Sequence, residues 1–408
     1  VVSSALCGMV SGSSVGNTVT TGSVTIPMMK KTGYPPEFAG AVEAASSTGG
    51  QIMPPIMGAA AFIMVEMTGY EYSDIIVRAI LPAFLYFLGI FLGVHFKAKK
   101  LGLVGLKREE LPKWKLLLPK IYLLLPLIIL TWMVIAGQTM AKSAIYGTIV
   151  AIVVGIINKD DRMTPTKFVN GLENGGKNCL SIGIACGIAG IISVCITMTG
   201  LGGKLITYVV KLSNGHLFIA LFLTMICCII LGMGVPTTAN YIIMASTCAP
   251  ILINGMGMHI LAANMFVFYF GIVADITPPV ALAAYAGAAI AKAPPMKTAL
   301  NATRLAIAAF IIPYIFAYNN AMIFVGDVTF FGVASIVISA TLGMASIASG
   351  FMGYLIHDLK WYSRIALIAG GLLMVIPGTV TDLAGLAILI VILLIQRAEN
   401  KKEKKAAV

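Results

Sequence analysis

Two short stretches carry most of the oxygen chemistry in this chain. The first is Gly12-Ser13-Ser14-Val15-Gly16, followed by Asn17 and Thr18, and the second is Pro236-Thr237-Thr238-Ala239-Asn240. Read literally, the first is G-x-S-x-G, the nucleophile elbow, which needs a strand before the Ser and a general base within hydrogen-bond reach. The four histidines, His95, His216, His259 and His357, all fall near predicted membrane surfaces, and the second stretch has Thr237 where the first has Ser14. A hydroxyl and an amide kept in both copies suit oxygen coordination of a hard cation better than nucleophilic catalysis.

The two stretches belong to a larger repeat. Each follows a Gly-Met pair, Gly8-Met9 or Gly232-Met233, and each precedes a second motif: Gly50-Gln51-Ile52-Met53-Pro54-Pro55 in the first copy, Ala274-Asp275-Ile276-Thr277-Pro278-Pro279 in the other. Two separate motifs recurring at one offset of about 224 residues mark a unit used twice.

The elements that must position these motifs lie in a membrane. The 408 residues are 59% hydrophobic and 11% charged, against about 25% charged in a soluble domain. The formal net charge of +12 would suggest nucleic acid in a soluble chain, but the Lys and Arg cluster between apolar runs, as the positive-inside rule produces. The seven cysteines lie in apolar stretches without a C-x-x-C pair and read as small packing residues.

Apolar runs long enough to span a bilayer occur at 75–96, 117–136, 142–157 (short), 180–210, 305–325 and 328–356. The regions 8–29, 37–68, 217–254 and 260–292 are apolar but interrupted by Gly, Pro, Ser, Thr and Asn. Such breaks leave backbone groups unpaired in lipid unless protein or water satisfies them. Residues 163–178 read as a short interfacial helix capped by Thr164. Region 361–397, with Pro377-Gly378 at its centre, is either a tight helical pair or a re-entrant excursion. The basic clusters place one side in the cytoplasm, with Glu66, Glu71, Asp74 and Asp327 opposite. On that count the first hairpin enters and leaves on the Lys30-Lys31 side and the second on the other, so the repeats are inverted. The expected fold is all-α and polytopic, with inverted repeats, re-entrant hairpins and broken helices, the architecture of secondary transporters.

The stretches SGSSVGN, IPMMKKTGYPPEFAGAVEAASSTGGQIMPP, GMGVPTTANYIIMASTCAPIL and ADITPP together resemble the large membrane subunit of the tripartite ATP-independent periplasmic (TRAP) transporters. The likeness is closest to the fused branch that works with TAXI-type binding proteins, and it covers about residues 1–325. It implies an elevator-type, multi-pass carrier of a bacterial or archaeal inner membrane. It also implies a sodium-coupled import of organic acids such as dicarboxylates, delivered by a periplasmic solute-binding protein, and no enzyme activity. A related sodium/dicarboxylate carrier that needs no binding protein is the alternative. The chain opens on Val1 within a motif, so the helices before the first hairpin and the region of the small membrane subunit are expected upstream.

The expected organisation is a first inverted repeat over 1–96, a cytoplasmic loop with scaffold helices and an arm over 97–178, a second repeat over 179–325, and a C-terminal membrane extension with a basic tail over 326–408. For the first tip, Ser13, Ser14, Asn17 and Thr18 are expected to line a Na+ site with Ser46, Ser47, Thr48 and Gly49. Close helix packing by small residues is the alternative, since Gly12 to Gly16 is also G-x-x-x-G. For the second tip, Gly232, Pro236, Thr237, Thr238 and Asn240 pair with Ala274, Asp275 and Thr277. Asp275 is the sharpest candidate, because a carboxylate inside an apolar run must be paired, solvated or protonated; its alternative is a cap for the half-helix near Pro278. Gln51 holds the matching position in the first repeat, which suggests that the second site carries more of the charge compensation. Substrate anions would rely on half-helix N-termini, since Arg is sparse. Gly183 to Gly187 reads as a helix-contact motif.

Overall fold

A computed structural model of the protein describes residues 1–105, 115, 118–160, 162–326, 328–375 and 378–406. Asp327 and Pro377 lie outside the described residues. Among these residues the chain is all α-helical, with one isolated bridge between Tyr354 and Asp358 and no strand. Among the described residues five helices are long and apolar enough to cross a membrane: Tyr72–Lys100, Leu118–Ile135, Pro295–Tyr318, Phe330–Met352 and Val380–Glu399.

The first repeat is a hairpin and a broken helix. Helix α1 (Val2–Ser11) ends at Gly12, whose φ of 62° is left-handed, and α2 (Ser14–Lys31) starts at once after Ser13. Glycine adopts that φ without a Cβ clash, which allows the two-residue tip. Ser13 is extended and its Oγ accepts from Gly16 N at 3.1 Å, capping α2. Helix α3 (Pro36–Gly50) and α4 (Gly58–Thr68) are the halves of the broken helix, and α5 (Tyr72–Lys100) returns across the bilayer.

After a 3-10 turn at Leu118–Leu124 come α6 (Leu125–Ile135), α7 (Met140–Ile157), α8 (Pro165–Met198) and α9 (Leu201–Ser213). Thr164 caps α8 by accepting from Lys167 N. The separate interfacial helix expected at 163–178 is instead the first half of the 34-residue α8. The expected single span at 180–210 is bent by 68° between α8 and α9. The bend falls at Gly200, whose φ of 65° interrupts the helix.

The second repeat copies the first. Helices α10 (Leu217–Gly232) and α11 (Thr237–Thr247) form the hairpin; α12 (Ile260–Val273) and α13 (Leu282–Ala291) form the broken helix. The return is α14 (Pro295–Leu305) continuing into α15 (Ile307–Tyr318), so this span begins earlier and ends sooner than 305–325. Both breaks carry a cis Pro-Pro bond, and Met57 and Ala281 are left-handed at equivalent positions.

Helix α3 packs on α13 and α4 on α12, so the two broken helices run antiparallel. They form the centre of the molecule. Every residue of α3 from Phe38 to Gly50 and of α12 from Leu261 to Val273 is buried. Small residues bring α3 and α13 into backbone contact: a Cβ at Gly40 would meet Gly287 O at 2.8 Å.

Beyond the repeats, α16 (Phe330–Met352) packs on α5, and α17 (Trp361–Leu373) and α18 (Thr379–Ala406) form an antiparallel pair against it. Region 361–397 is thus a helical pair. Of the seven free cysteines only Cys228 and Cys248 are buried, so the reading of all seven as buried packing residues holds for those two. A Cβ at Gly183 or Gly187 would meet nothing within 4 Å, so the two glycines make no close contact, while Ala185 between them packs toward Ala239 and Ile243 of the second hairpin.

Candidate functional site

The first hairpin tip reaches both breaks, that of the second repeat through Ser14 and that of its own through Gly12. Ser14 Oγ donates to Asp275 Oδ2 at 2.5 Å, and both residues are buried. Gly12 lies against Gly58, just past the first break; a Cβ at Gly12 would sit 2.8 Å from Gly58 Cα. Between the tips is a cavity of about 690 Å³ lined by Gly12, Ser13, Ser14, Pro236, Thr237, Thr238 and Asp275, with Phe62, Val235 and Leu282 as apolar walls. The first turns of α2 and α11 both border it. Pro236, at the N-cap of α11, has no side-chain acceptor, so the first N–H groups of that helix are uncapped. Among the described lining residues there is no Lys, Arg or His.

Asp275 lies in a 3-10 turn, Ala274–Ile276, and α13 begins only at Leu282. Its carboxylate takes the Ser14 hydrogen bond across the repeat boundary and does not cap the second half-helix.

Behind each tip an asparagine amide ties the hairpin to its own broken helix. Asn17 Nδ2 donates to Ser47 Oγ at 2.9 Å and to Ser4 O at 2.9 Å. Asn240 Nδ2 donates to Gly271 O at 3.0 Å, and Gly271 holds the position in α12 that Ser47 holds in α3. Gly8 and Gly232 make room for these amides: a Cβ would lie 3.0 Å from Asn17 Nδ2 in one case and 2.7 Å from Asn240 Nδ2 in the other. Ala274 packs against Gly232 as Gly50 does against Gly8.

Several buried polar atoms near the breaks have no hydrogen-bond partner: Ser46 Oγ, Thr48 Oγ1, both amide atoms of Gln51, and Asn240 Oδ1. Buried polar atoms are rarely left unpaired. Three expected residues sit elsewhere. Thr18 and Thr277 donate to the carbonyls of Ser14 and Val273 within their own turns, and Gly49 faces the Tyr86 ring, where a Cβ would be 2.1 Å from a ring carbon.

The breaks are held from outside. Tyr72 Oη is within 2.9 Å of Pro55 O and 2.6 Å of Ile56 O, Tyr86 donates to Ala45 O at 2.7 Å, and Thr303 Oγ1 is 3.1 Å from Ile276 O.

One buried carboxylate escaped the motif-based reading. Glu43, 1% exposed in the middle of α3, receives Ser4 Oγ at 2.9 Å and Ser47 Oγ at 3.2 Å, with Thr21 and Thr25 Oγ1 also in hydrogen-bond contact. Among the described residues the two repeats therefore each hold a buried acid, Glu43 in the first and Asp275 in the second, at non-equivalent positions. The signal was present as a lone Glu in the small apolar run Ala39 to Ala45.

The family model described as "Tripartite ATP-independent periplasmic transporter, DctM component" matches residues 1–331. A stretch of 85 residues is 40% identical to an uncharacterized protein y4mL of Sinorhizobium fredii, covering 21% of this chain and 20% of that protein. The chain thus matches only about one fifth of that relative. Helical throughout its described residues, threaded repeatedly through the bilayer and matched over its paired hairpins and broken helices, this multi-pass inner-membrane chain belongs to the DctM component family of tripartite ATP-independent periplasmic transporters.

Proposed function

We propose that this chain forms the transport core of a TRAP system that imports an organic acid, of dicarboxylate type, together with Na+. The observation that carries this reading is the cavity between the two tips. It borders the uncapped start of α11 and the hydroxyls of Ser13, Thr237 and Thr238, and it contains a carboxylate but no basic side chain. Backbone N–H groups at a helix start bind anions. Asp275 opposes that binding, and a bound cation would offset both negative charges.

The residues fit such an ion. Ser46 Oγ, Thr48 Oγ1, Gln51 Oε1 and Asn240 Oδ1 are buried oxygens without partners, the donor type hard cations take. These residues, with Ser14, Ser47, Thr237 and Asp275, would hold Na+, which supplies positive charge beside the substrate. The protein's own groups do the rest: Ser14 orients the Asp275 carboxylate, and Asn17 and Asn240 fix each hairpin arm to its broken helix.

Delivery by a TAXI-type periplasmic binding protein, and a small-subunit region fused upstream, complete the reading and rest on the family likeness. The test is uptake of radiolabelled dicarboxylates into proteoliposomes holding the full-length protein, with and without its binding protein. Uptake that requires both an inward sodium gradient and the binding protein is expected. Uptake unchanged by replacing sodium with choline would overturn the coupling, and uptake without the binding protein would point to the simpler carrier.

A further inference from the structure

Helix α9 (Leu201–Ser213) leaves α8 at a bend of 68° and leads straight into the second hairpin at Leu217. A helix turned that far from the apolar α8 lies nearer the membrane plane than its normal. On the orientation that the basic clusters set, the second hairpin opens opposite the cytoplasm, so α9 runs along the outer boundary.

Three flanks of α9 meet three environments. Leu205, Ile206 and Val209 pack with Ala220 and Leu223 of α10 and with Ile251, just after α11. Leu201, Tyr208 and Leu212 are 45%, 64% and 66% exposed. At about 100° per residue they share one stripe, and Lys204 and Lys211 share the next, on the side facing away from the hairpin. An in-plane helix with one flank on protein and an apolar flank in hydrocarbon turns that third flank sideways, at the depth of the lipid headgroups.

Two cations on this side run against the cytoplasmic gathering of Lys and Arg and need counter-charge. The flanking sequence offers none: between Glu173 and Asp275 there is no acidic residue, and among the described residues neither lysine side chain forms an ion pair.

We propose that α9 docks on anionic phospholipid of the outer leaflet, with Lys204 and Lys211 on headgroup phosphates and Leu201, Tyr208 and Leu212 among the acyl chains. The lysines are seven residues apart, about 10 Å along the axis, so each takes its own headgroup. Each contributes about fivefold to affinity for an anionic surface. The connection from α8 to the second hairpin is thereby held at the membrane surface. The inference stands on the orientation of the chain and not on sodium coupling or the choice of substrate.

The experiment measures hydrogen exchange of residues 201–213 in the full-length protein, held in nanodiscs of phosphatidylcholine alone or of an equal mixture with phosphatidylglycerol. Because the readout is local, lipid bound at the cytoplasmic clusters does not enter it. Exchange in α9 is expected to be about tenfold slower in the mixture, and the difference to shrink in high salt. The Lys204→Gln/Lys211→Gln variant should exchange alike in both lipids, and Lys204→Arg/Lys211→Arg should restore the difference. Wild-type α9 indifferent to phosphatidylglycerol, or the Gln variant responding as the wild type does, would overturn the proposal. Slowing only by an added periplasmic binding protein, lost in the Gln variant, would assign the flank to a protein partner and also overturn it.

Discussion

The Ser14 hydroxyl lies 2.5 Å from the Asp275 carboxylate, bonding the tip of one repeat to the break of the other across 261 positions of sequence. A hydrogen bond to a charged partner contributes about 1.5–3 kcal/mol. Ser14→Ala is therefore predicted to reduce substrate uptake roughly tenfold, and Asp275→Asn further. The double variant should be little worse than Asp275→Asn, since residues in one network couple by about 0.5–3 kcal/mol. Strictly multiplicative losses in proteoliposome uptake would show that the two act separately.

Backbone contact between α1 and α3 makes a second prediction. A Cβ at Gly50 would sit 2.5 Å from Gly8 Cα, a clash with main chain that no rotamer relieves. Gly50→Ala should lower stability by about 1–3 kcal/mol, as overpacking does. Gly183→Ala, where the space is open, should leave it unchanged or raise it by up to about 1 kcal/mol through helix propensity. Thermal unfolding of the two variants in one detergent compares them directly.

Tyr72 reaches from α5 to the carbonyls of Pro55 and Ile56. Tyr72→Phe keeps the ring and strands those carbonyls, at a cost of about 1–3 kcal/mol. The expected signature is faster hydrogen exchange confined to residues around the first break; uniform loss of protection would contradict a local role.

At the loop before α12, burial first and the Arg78 guanidinium second hold the His259 imidazole below its ordinary value of 6.5. The native state then binds protons less readily than the unfolded chain. Its stability is full above about pH 6.5 and declines as pH falls toward the folded value. His259→Asn, whose amide oxygen replaces the imidazole Nδ1 that accepts from Leu261 N at the start of α12, should show a shallower acid decline in the unfolding midpoint. An identical decline in the variant would assign the acid limb to other groups.

The repeat was legible because its motifs pair polar or Gly/Pro residues with apolar runs, and those residues do mark the tips and breaks. Asn17 and Asn240 stood out as amides where lipid favours none. What escaped was direction. Thr18 and Thr277 share their motifs with the site residues, yet their hydroxyls turn back onto their own helices. Gly49 belongs to the same run as Ser47 but faces Tyr86. Glu43 lay within the quoted stretch from Ile26 to Pro55 but was not singled out there, and it became visible only when three helices converged on it. The bend at Gly200 carried a signal, the run Thr199-Gly200-Leu201-Gly202-Gly203-Lys204, that the length of the apolar stretches on either side obscured.

At the crossing of α3 and α13, Gly40 and Gly287 bring main chain against main chain, with a Cβ at Gly287 falling 2.6 Å from Gly40 O. Such a seam has no side-chain teeth that could disengage and re-engage one notch along. The paired breaks are pinned together like the blades of a closed scissor rivet, so whatever exposes the cavity to one face and then the other must carry both halves as a single load.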